Sequence, residues 1–391
     1  MFAGGVMVLW SSDKIDPKFL SFTSGDDLSI DAQLVPYVKK SLSLHARNLF
    51  LNGHLTKGEL NNSLRLIESA ELELTVQNED CHTALYEALK KQDKALANKL
   101  RAFKSRNEEV AVTESFFFLD KLVALQKAIN RLIHVICSKA RELRGAKWIG
   151  FTHTRMATVG TAEHWLLAYS EQLKFLKARL PALRKYVSVV SLGSGPGFGS
   201  ELKIIETGGL KNCRNPQLMQ HLRVFKHLLI SHFCLELSTL FSRFSSDVIF
   251  YGSDNNAYVL LSPKIAQGSS AMPHKLNPDL FEIIRANHSR FQAWVQICSS
   301  HGHLISGYHR DYQLSKEASV RAITLLLQEA DILAASIKYI SLDEKKIARD
   351  IKENDNLLSF SKLSEDSLAG KDITNLYNKM RDHSKGQKNK I

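Results

Sequence analysis

The densest grouping of reactive side chains is Gly268-Ser269-Ser270-Ala271-Met272-Pro273-His274-Lys275-Leu276-Asn277-Pro278. A glycine opens the stretch, two hydroxyls, an ammonium and an amide follow, and a helical pattern begins near Asp279. Backbone N–H groups of a glycine-led turn, with Lys275 and Asn277 beside them, suit a carboxylate. The same composition suits a polar loop leading into a helix, with Asn277 or Asp279 as its cap. Composition alone favours that plainer reading. His153, in Gly150-Phe151-Thr152-His153, could move a proton. A lone histidine in such a place is more often a polar turn residue. Cys298, His301 and His303 lie close enough to begin a zinc site, but no fourth ligand is evident, so they read as polar residues at a helix end. Gly193-Ser194-Gly195-Pro196-Gly197-Phe198-Gly199 fails as a nucleotide loop. Phe198 stands where the dinucleotide pattern needs its third glycine, and no Lys-Ser/Thr follows.

These residues need elements to hold them, and the dominant period is helical. Over residues 113–145, Phe118, Leu122, Leu125, Ile129, Leu132 and Ile136 recur at three- and four-residue steps, and Gly145 can close the helix. Residues 217–244 repeat the pattern with Leu222, Phe225, Leu229, Phe233, Leu237 and Leu240. Long helices are also predicted over 161–180, 279–299 and 315–340. Strand signals are few, the best being 187–192. Loops are predicted at 146–151, 192–200, 206–216 and 266–278. The pattern predicts a mostly α protein around a bundle of long helices. Several of these helices are apolar over more than one face, which points to association of subunits. Trp165, Trp294 and the run Phe116–Phe118 read as core.

The chain has 391 residues, 44% hydrophobic and 24% charged, an ordinary globular balance with length for two or three domains. Its formal net charge of +12 is scattered, apart from a basic tail at 379–390 that reads as a frayed terminus. No RNA-binding aromatic motif or zinc-finger spacing accompanies the charge, so no nucleic-acid partner is expected. Five cysteines, odd in number and without a Cys-x-x-Cys, fit a reducing cytoplasm. Apolar runs such as 116–119 are far short of the ~20 residues that cross a bilayer, and no signal peptide is expected.

The stretch at 268–278 closely resembles Gly-Ser-Ser-x-Met-Pro-x-Lys-x-Asn-Pro, the hallmark of the fumarase, aspartase and argininosuccinate lyase superfamily. Four further stretches resemble argininosuccinate lyases within it. They are Asn78-Glu79-Asp80-Cys81-His82-Thr83-Ala84, Ser105-Arg106-Asn107, Gly150-Phe151-Thr152-His153, and Ser306-Gly307-Tyr308-His309-Arg310-Asp311-Tyr312-Gln313 followed by Lys316-Glu317. Leu9-Trp10 and Phe22-Thr23-x-Gly25 also fit, and the glycine loop at 193–199 resembles the family's Pro-Leu-Gly-Ser-Gly. The likeness runs in order from about Leu9 to about Glu317.

The resemblance implies an all-α, fumarase/aspartase-like fold: a central long-helix bundle at 109–340, flanked by a helical domain at 1–108 and a short helical domain and tail at 341–391. It implies reversible β-elimination of argininosuccinate to arginine and fumarate, in arginine biosynthesis. Ser269 would be the base and His153 the general acid or the group that orients it. Ser105, Asn107, Thr152, Lys275 and Asn277 would hold carboxylates, and Tyr308, Gln313 and Lys316 the arginine end. His82, Arg106 and Arg223 would support the site. The small-molecule substrate would be the partner, no metal or organic cofactor is implied, and neither nucleic acid nor membrane is expected. The family is a homotetramer in which each active site collects residues from three subunits.

The chain departs from the family at several points. Phe103-Lys104 replaces Gly-Arg before Ser105, and Glu108-Glu109 replaces Asp-Gln after Asn107. The Gln and Pro expected after His153 are missing, the Tyr-Asp-x-x-Gly-Ser near Tyr37 lacks its Asp, no Asp-Arg-Glu follows Gly199, and the region beyond Ile340 is short. A catalytically weak or inactive relative with a structural role, as in lens delta-crystallins, is therefore one alternative. Another superfamily lyase, such as adenylosuccinate lyase, is a second, although the segment from Tyr308 to Lys316 argues against it.

Overall fold

The computed structural model describes residues 6–7, 14–24, 27–190, 192–268, 272 and 275–354. Ser269, Ser270, Pro273 and His274 lie outside the described residues, as do Leu9-Trp10, Gly25, most of the expected C-terminal domain and the basic tail. The helices in chain order are α1 (Pro17–Ser24), α2 (Asp27–Asp31), α3 (Val35–Leu51), α4 (Lys57–Ser69), α5 (Cys81–Gln92), α6 (Lys94–Lys99), α7 (Arg106–Glu142), α8 (Ala162–Ala178), α9 (Leu180–Val187), α10 (Leu218–Tyr251), α11 (Asp279–Ser300), α12 (Tyr312–Ser336) and α13 (Glu344–Glu353). The mostly helical reading holds, and each long helix predicted from periodicity is present with its ends moved by a few residues. Gly145, at φ +81°, takes the left-handed conformation just past α7 that a side chain would disfavour.

The chain divides into two compact units. The first comprises residues 1–130, 175–242 and 286–331, and the second 131–174, 243–285 and 332–391. Local chemistry starts the shorter helices of the first unit. Thr56 and Glu59 form a reciprocal capping box on α4. Asp80 caps α5 by accepting from the Thr83 N–H at 2.9 Å. A core cluster of Leu44, Ala111, Val112, Phe116, Val190, Leu210 and Met219 joins α3, α7 and α10. Phe117, Phe118 and Trp294 are buried as expected. α10 is long and apolar enough to cross a bilayer by length and composition, yet 61% of its apolar stretch is buried within the protein, as in a core helix.

The described strands are short: β1 (Val6–Met7), β2 (Lys14–Ile15), β3 (Lys147–Thr152), β4 (Arg155–Thr161), β5 (Val189–Val190), β6 (Lys211–Asn212), β7 (Val259–Leu261), β8 (Gln267–Gly268), β9 (Leu276–Asn277) and β10 (Ile340–Leu342). The strand expected at 187–192 shrinks to β5, paired in parallel with β6. The expected loop at 146–151 is instead β3, the first arm of an antiparallel hairpin with β4. Its two-residue turn is His153-Thr154, with φ +52° and +60°. Two positive φ values match the twist of a hairpin, but Asn-Gly is the usual occupant, so no turn signal stood in the sequence. An aromatic stack in the second unit fixes the hairpin. Trp148 lies 4.5 Å from Trp165 and 4.1 Å from Tyr251, whose hydroxyl donates to the Ile149 carbonyl at 3.2 Å. Asp247 accepts from Trp165 Nε1 at 2.8 Å and the Tyr169 hydroxyl at 2.6 Å. Half-buried Trp165 thus serves this stack.

Candidate active site

The first unit contains a cavity of about 890 Å³. It is lined by α5, the turn before α7, the start of α7, the start of α10 and the segment 308–316. Of its lining side chains, Arg101, Lys104, Arg106, Arg223, Arg310 and Lys316 are cationic, while Glu79, Asp80 and Glu109 are anionic. Six cations against three carboxylates leave a surplus of positive charge, the field that a polycarboxylate needs. Ser105, Arg106, Arg223, Tyr308, Gln313 and Lys316 all line it. Asn107 shares an adjoining small recess with Arg223, Tyr308 and Tyr312. Sequence motifs far apart in the chain therefore converge on one cavity.

The Asn78–Ala84 motif has a physical account. One oxygen of Asp80 caps α5 and the other pairs with Arg106, which also reaches Thr83 Oγ1 at 3.3 Å. Asp80 thus aims Arg106 at the cavity. His82 does not line the cavity. It is buried behind it, with Nδ1 3.4 Å from Glu109, and Glu109 lies 3.2 Å from Lys104. Burial alone would raise the Glu109 pKa, but Lys104, His82 and Arg106 outweigh it and hold the carboxyl well below its usual range. The two departures at Lys104 and Glu109 therefore form an ion pair with each other at the cavity edge. Carboxylate and ammonium are both nearly buried, so their pairing offsets two desolvation costs.

Ser105 donates to the Gly195 carbonyl at 2.6 Å, which ties the glycine loop to the start of α7. The loop's amides face a carboxylate of the protein itself: Gly193 and Gly195 N–H both donate to Glu108, the latter at 3.0 Å. Gly195 has φ +54°, and a Cβ there would meet the Gly199 carbonyl oxygen at 2.7 Å, so the loop demands glycine. Burial pushes the Glu108 pKa up to about 7, against those amides and Lys104, which pull it down. Its folded value lies above the ordinary one near 4.5, so its contribution is fully present below that value and is lost as pH rises through about 7. The loss comes to about 3 kcal/mol. Thermal melts between about pH 5 and about pH 8 should show a smaller fall in stability for Glu108→Gln than for the wild type. An equal fall in both would contradict this reading of Glu108.

The opposite wall is carried by α12 and the segment before it. Lys316 Nζ donates to Asp31 Oδ1 at 2.9 Å, and Asp31 Oδ2 accepts from the Cys81 N–H at 2.8 Å. Asp31, 1% exposed, thereby joins α2, α5 and α12. Burial would raise its pKa, but Lys316 and the Cys81 amide overcome this and lower it. Gln313 donates to the Thr23 and Ser24 carbonyls at 3.1 and 3.0 Å. Tyr308 is half-exposed beneath the Arg223 guanidinium, 5.0 Å from its ring centroid. Asp31 was not among the expected site residues, Lys104 and Glu109 stood there only as departures from the family pattern, and Arg310 only as a member of its motif. Asp80 stood within a motif that carried the resemblance, whereas Asp31 had no signal at all.

Thr152, His153, Lys275 and Asn277 belong to the second unit. Thr152 ends β3, and His153 stands exposed in the hairpin turn. Lys275 is exposed, and Asn277 lies in β9, which pairs with β8 through Gln267↔Asn277 and Gly268↔Leu276. The two ends of the serine loop are thus zipped together. Among the described residues no cluster of metal-ligating side chains occurs. His301 Nδ1 is 2.6 Å from Ser315 Oγ, and Cys298 packs against Ser231.

Comparison with known proteins agrees with this architecture. A class II fumarase from Schistosoma mansoni superposes with a TM-score of 0.73 at 14% identity, covering 90% of this chain and 86% of that one. The fold is that of the fumarase/aspartase lyases. The Lyase family matches residues 53–292, and the chain belongs to that family. Two curated relatives are argininosuccinate lyases. The Thermotoga neapolitana enzyme is 29% identical over 88% of this chain and 90% of its own length, and the Sorangium cellulosum enzyme 28% over 86% and 81%.

Proposed function

We propose that the chain is an argininosuccinate lyase that cleaves argininosuccinate to arginine and fumarate in cytoplasmic arginine biosynthesis. The observation that carries this reading is the cationic cavity, in which the Ser105-Arg106-Asn107 and Tyr308–Lys316 segments meet, in a chain whose curated relatives bear that name. β-Elimination removes a proton from the carbon next to a carboxylate and leaves its charge on that carboxylate. The carbon–nitrogen bond then breaks, and its electron pair goes to the guanidino nitrogen, which takes up a proton. Fixed cations placed where the negative charge develops lower both barriers. In this account Ser269 takes the proton and His153 delivers or orients the second one. Thr152, Lys275 and Asn277 join Ser105 and Asn107 at carboxylates, and Tyr308, Gln313 and Lys316 hold the arginine end, with His82, Arg106 and Arg223 behind them. A panel of argininosuccinate, adenylosuccinate and malate tests the substrate. Rapid turnover of argininosuccinate alone is expected, and preference for another member would overturn the assignment.

The protein works as a homotetramer whose sites are completed by neighbouring copies. Large apolar side chains left exposed on the long helices support this: Phe225 and Leu229 on α10, Ile283 and Ile297 on α11, Leu314 and Ile332 on α12. Mixing two inactive variants, His153→Asn and Ser269→Ala, during refolding should restore part of the activity, because some sites then draw both native residues from different chains. Mixtures as inactive as either parent would rule out shared sites.

A further inference from the structure

On α7, Glu114 is 1% exposed, and it faces three basic groups of α10. His227 Nε2 lies at 3.4 Å, Arg223 Nη2 at 3.9 Å and Lys226 Nζ at 4.0 Å. Two of these have other partners. Lys226 donates to the Ala111 carbonyl at 3.0 Å and to Ser115 Oγ at 2.8 Å, and His227 Nδ1 lies 2.8 Å from Ser319 Oγ. Arg223, 7% exposed, differs: its Nε and Nη1 make no hydrogen bond, and the residue lines the cavity. Its guanidinium lies instead against two rings, 5.0 Å from the centroid of Tyr308 and 5.9 Å from that of Tyr312.

Charge balance gives the arrangement a direction. Burial lowers the His227 pKa and favours the neutral ring, with Glu114 working against it. Burial likewise holds Lys226 down to about 8, again opposed by Glu114, so the amine is still largely charged near neutrality. One carboxylate then faces two cations. The surplus charge lies on Arg223, the member that reaches the cavity. A buried guanidinium with undirected N–H groups is incomplete until an anion meets it.

We propose that Glu114 is a positioning residue. It holds Arg223 over Tyr308, so that the guanidinium N–H groups the protein does not use are left to donate to a carboxylate of the ligand. The identity of that ligand rests on the argininosuccinate reading, whereas the placement of Arg223 does not. A grip on a carboxylate remote from the breaking bond is felt equally in the ground and transition states, so its loss raises KM and spares kcat. Glu114→Gln should raise KM for argininosuccinate about tenfold with kcat within about threefold. Glu114→Asp, which keeps the charge, should recover most of that loss and serves if the Gln variant does not fold. A purely structural role would lower the melting temperature and leave KM unchanged, which would overturn the proposal. A crystal structure of the Glu114→Gln protein reads the placement without any substrate. Arg223 displaced from Tyr308 supports the proposal even if wild-type protein fails to turn over argininosuccinate, and Arg223 unmoved refutes it.

Discussion

Ser269→Ala should lower turnover of argininosuccinate by about 10³-fold while leaving the assembled protein intact. Proton transfer by a positioned group contributes roughly 10² to 10⁴ in rate. A serine hydroxyl is a weak base until its alkoxide is stabilised. Lys275 and the loop N–H groups are the candidates for that stabilisation. The paired ends of the loop, β8 and β9, are retained in the variant, so its fold and tetramer should persist. Steady-state kinetics with circular dichroism of the same samples checks this. A variant that keeps more than about a tenth of the activity would remove Ser269 from the role of base.

Lys316→Met should have the largest effect on stability. It leaves Asp31 buried as a carboxylate whose remaining partner in this pair of contacts is the Cys81 amide. Breaking a buried ion pair from one side costs about 3–5 kcal/mol, because the surviving charge has lost its counter-ion. The lowered Asp31 pKa fixes the sign of the pH dependence. The pair stabilises the protein above the ordinary carboxyl value near 3.8, and that contribution is lost as pH falls through the lowered folded value. The wild type should therefore lose, in acid, an advantage that the variant never had. Adding Asp31→Asn to Lys316→Met should recover a large part of the stability, a coupling that thermal unfolding of the four proteins measures directly. Additive losses would show that the two side chains do not depend on each other. KM should also rise in Lys316→Met, since the ammonium lines the cavity.

The helical frame was legible because each long helix repeats its apolar side chains at helical spacing. α7 and α10 could be located from Phe118, Leu222 and their successors, although α7 begins at Arg106, before the expected 113, and α10 runs on to Tyr251, past the expected 244. The β3–β4 hairpin was not legible, because His153-Thr154 turns the chain with positive φ and without glycine or asparagine. The stack of Trp148, Trp165 and Tyr251 that holds it assembles from segments about a hundred residues apart. The site was half legible. Tyr308, Gln313 and Lys316 stood within one segment, and Ser105-Arg106-Asn107 within another, and the family resemblance of those segments marked them. The charges that support them could not. Glu108 and Glu109 fall in the first turn of α7, where acidic side chains are ordinarily solvated and favoured by the dipole, and Glu114 lies further along the same helix. Here they are buried, and the groups that make this tolerable, Lys104, His82, Arg223, Lys226 and the amides of a distant glycine loop, come from other parts of the chain. A pattern read along one helix contains no record of such partners.

The departures at Lys104 and Glu109 acquire a different weight once they are seen paired at 3.2 Å. As isolated changes they suggest a weakened support for the site. As an ion pair they keep the cavity edge charged. That favours an active enzyme over a purely structural relative.

The most direct measurement is fumarate release from argininosuccinate by the purified protein, followed by ultraviolet absorbance. The account predicts sustained turnover that disappears in Ser269→Ala. A correctly assembled tetramer that releases no fumarate and does not bind argininosuccinate would contradict it, and would leave the fold in a structural role.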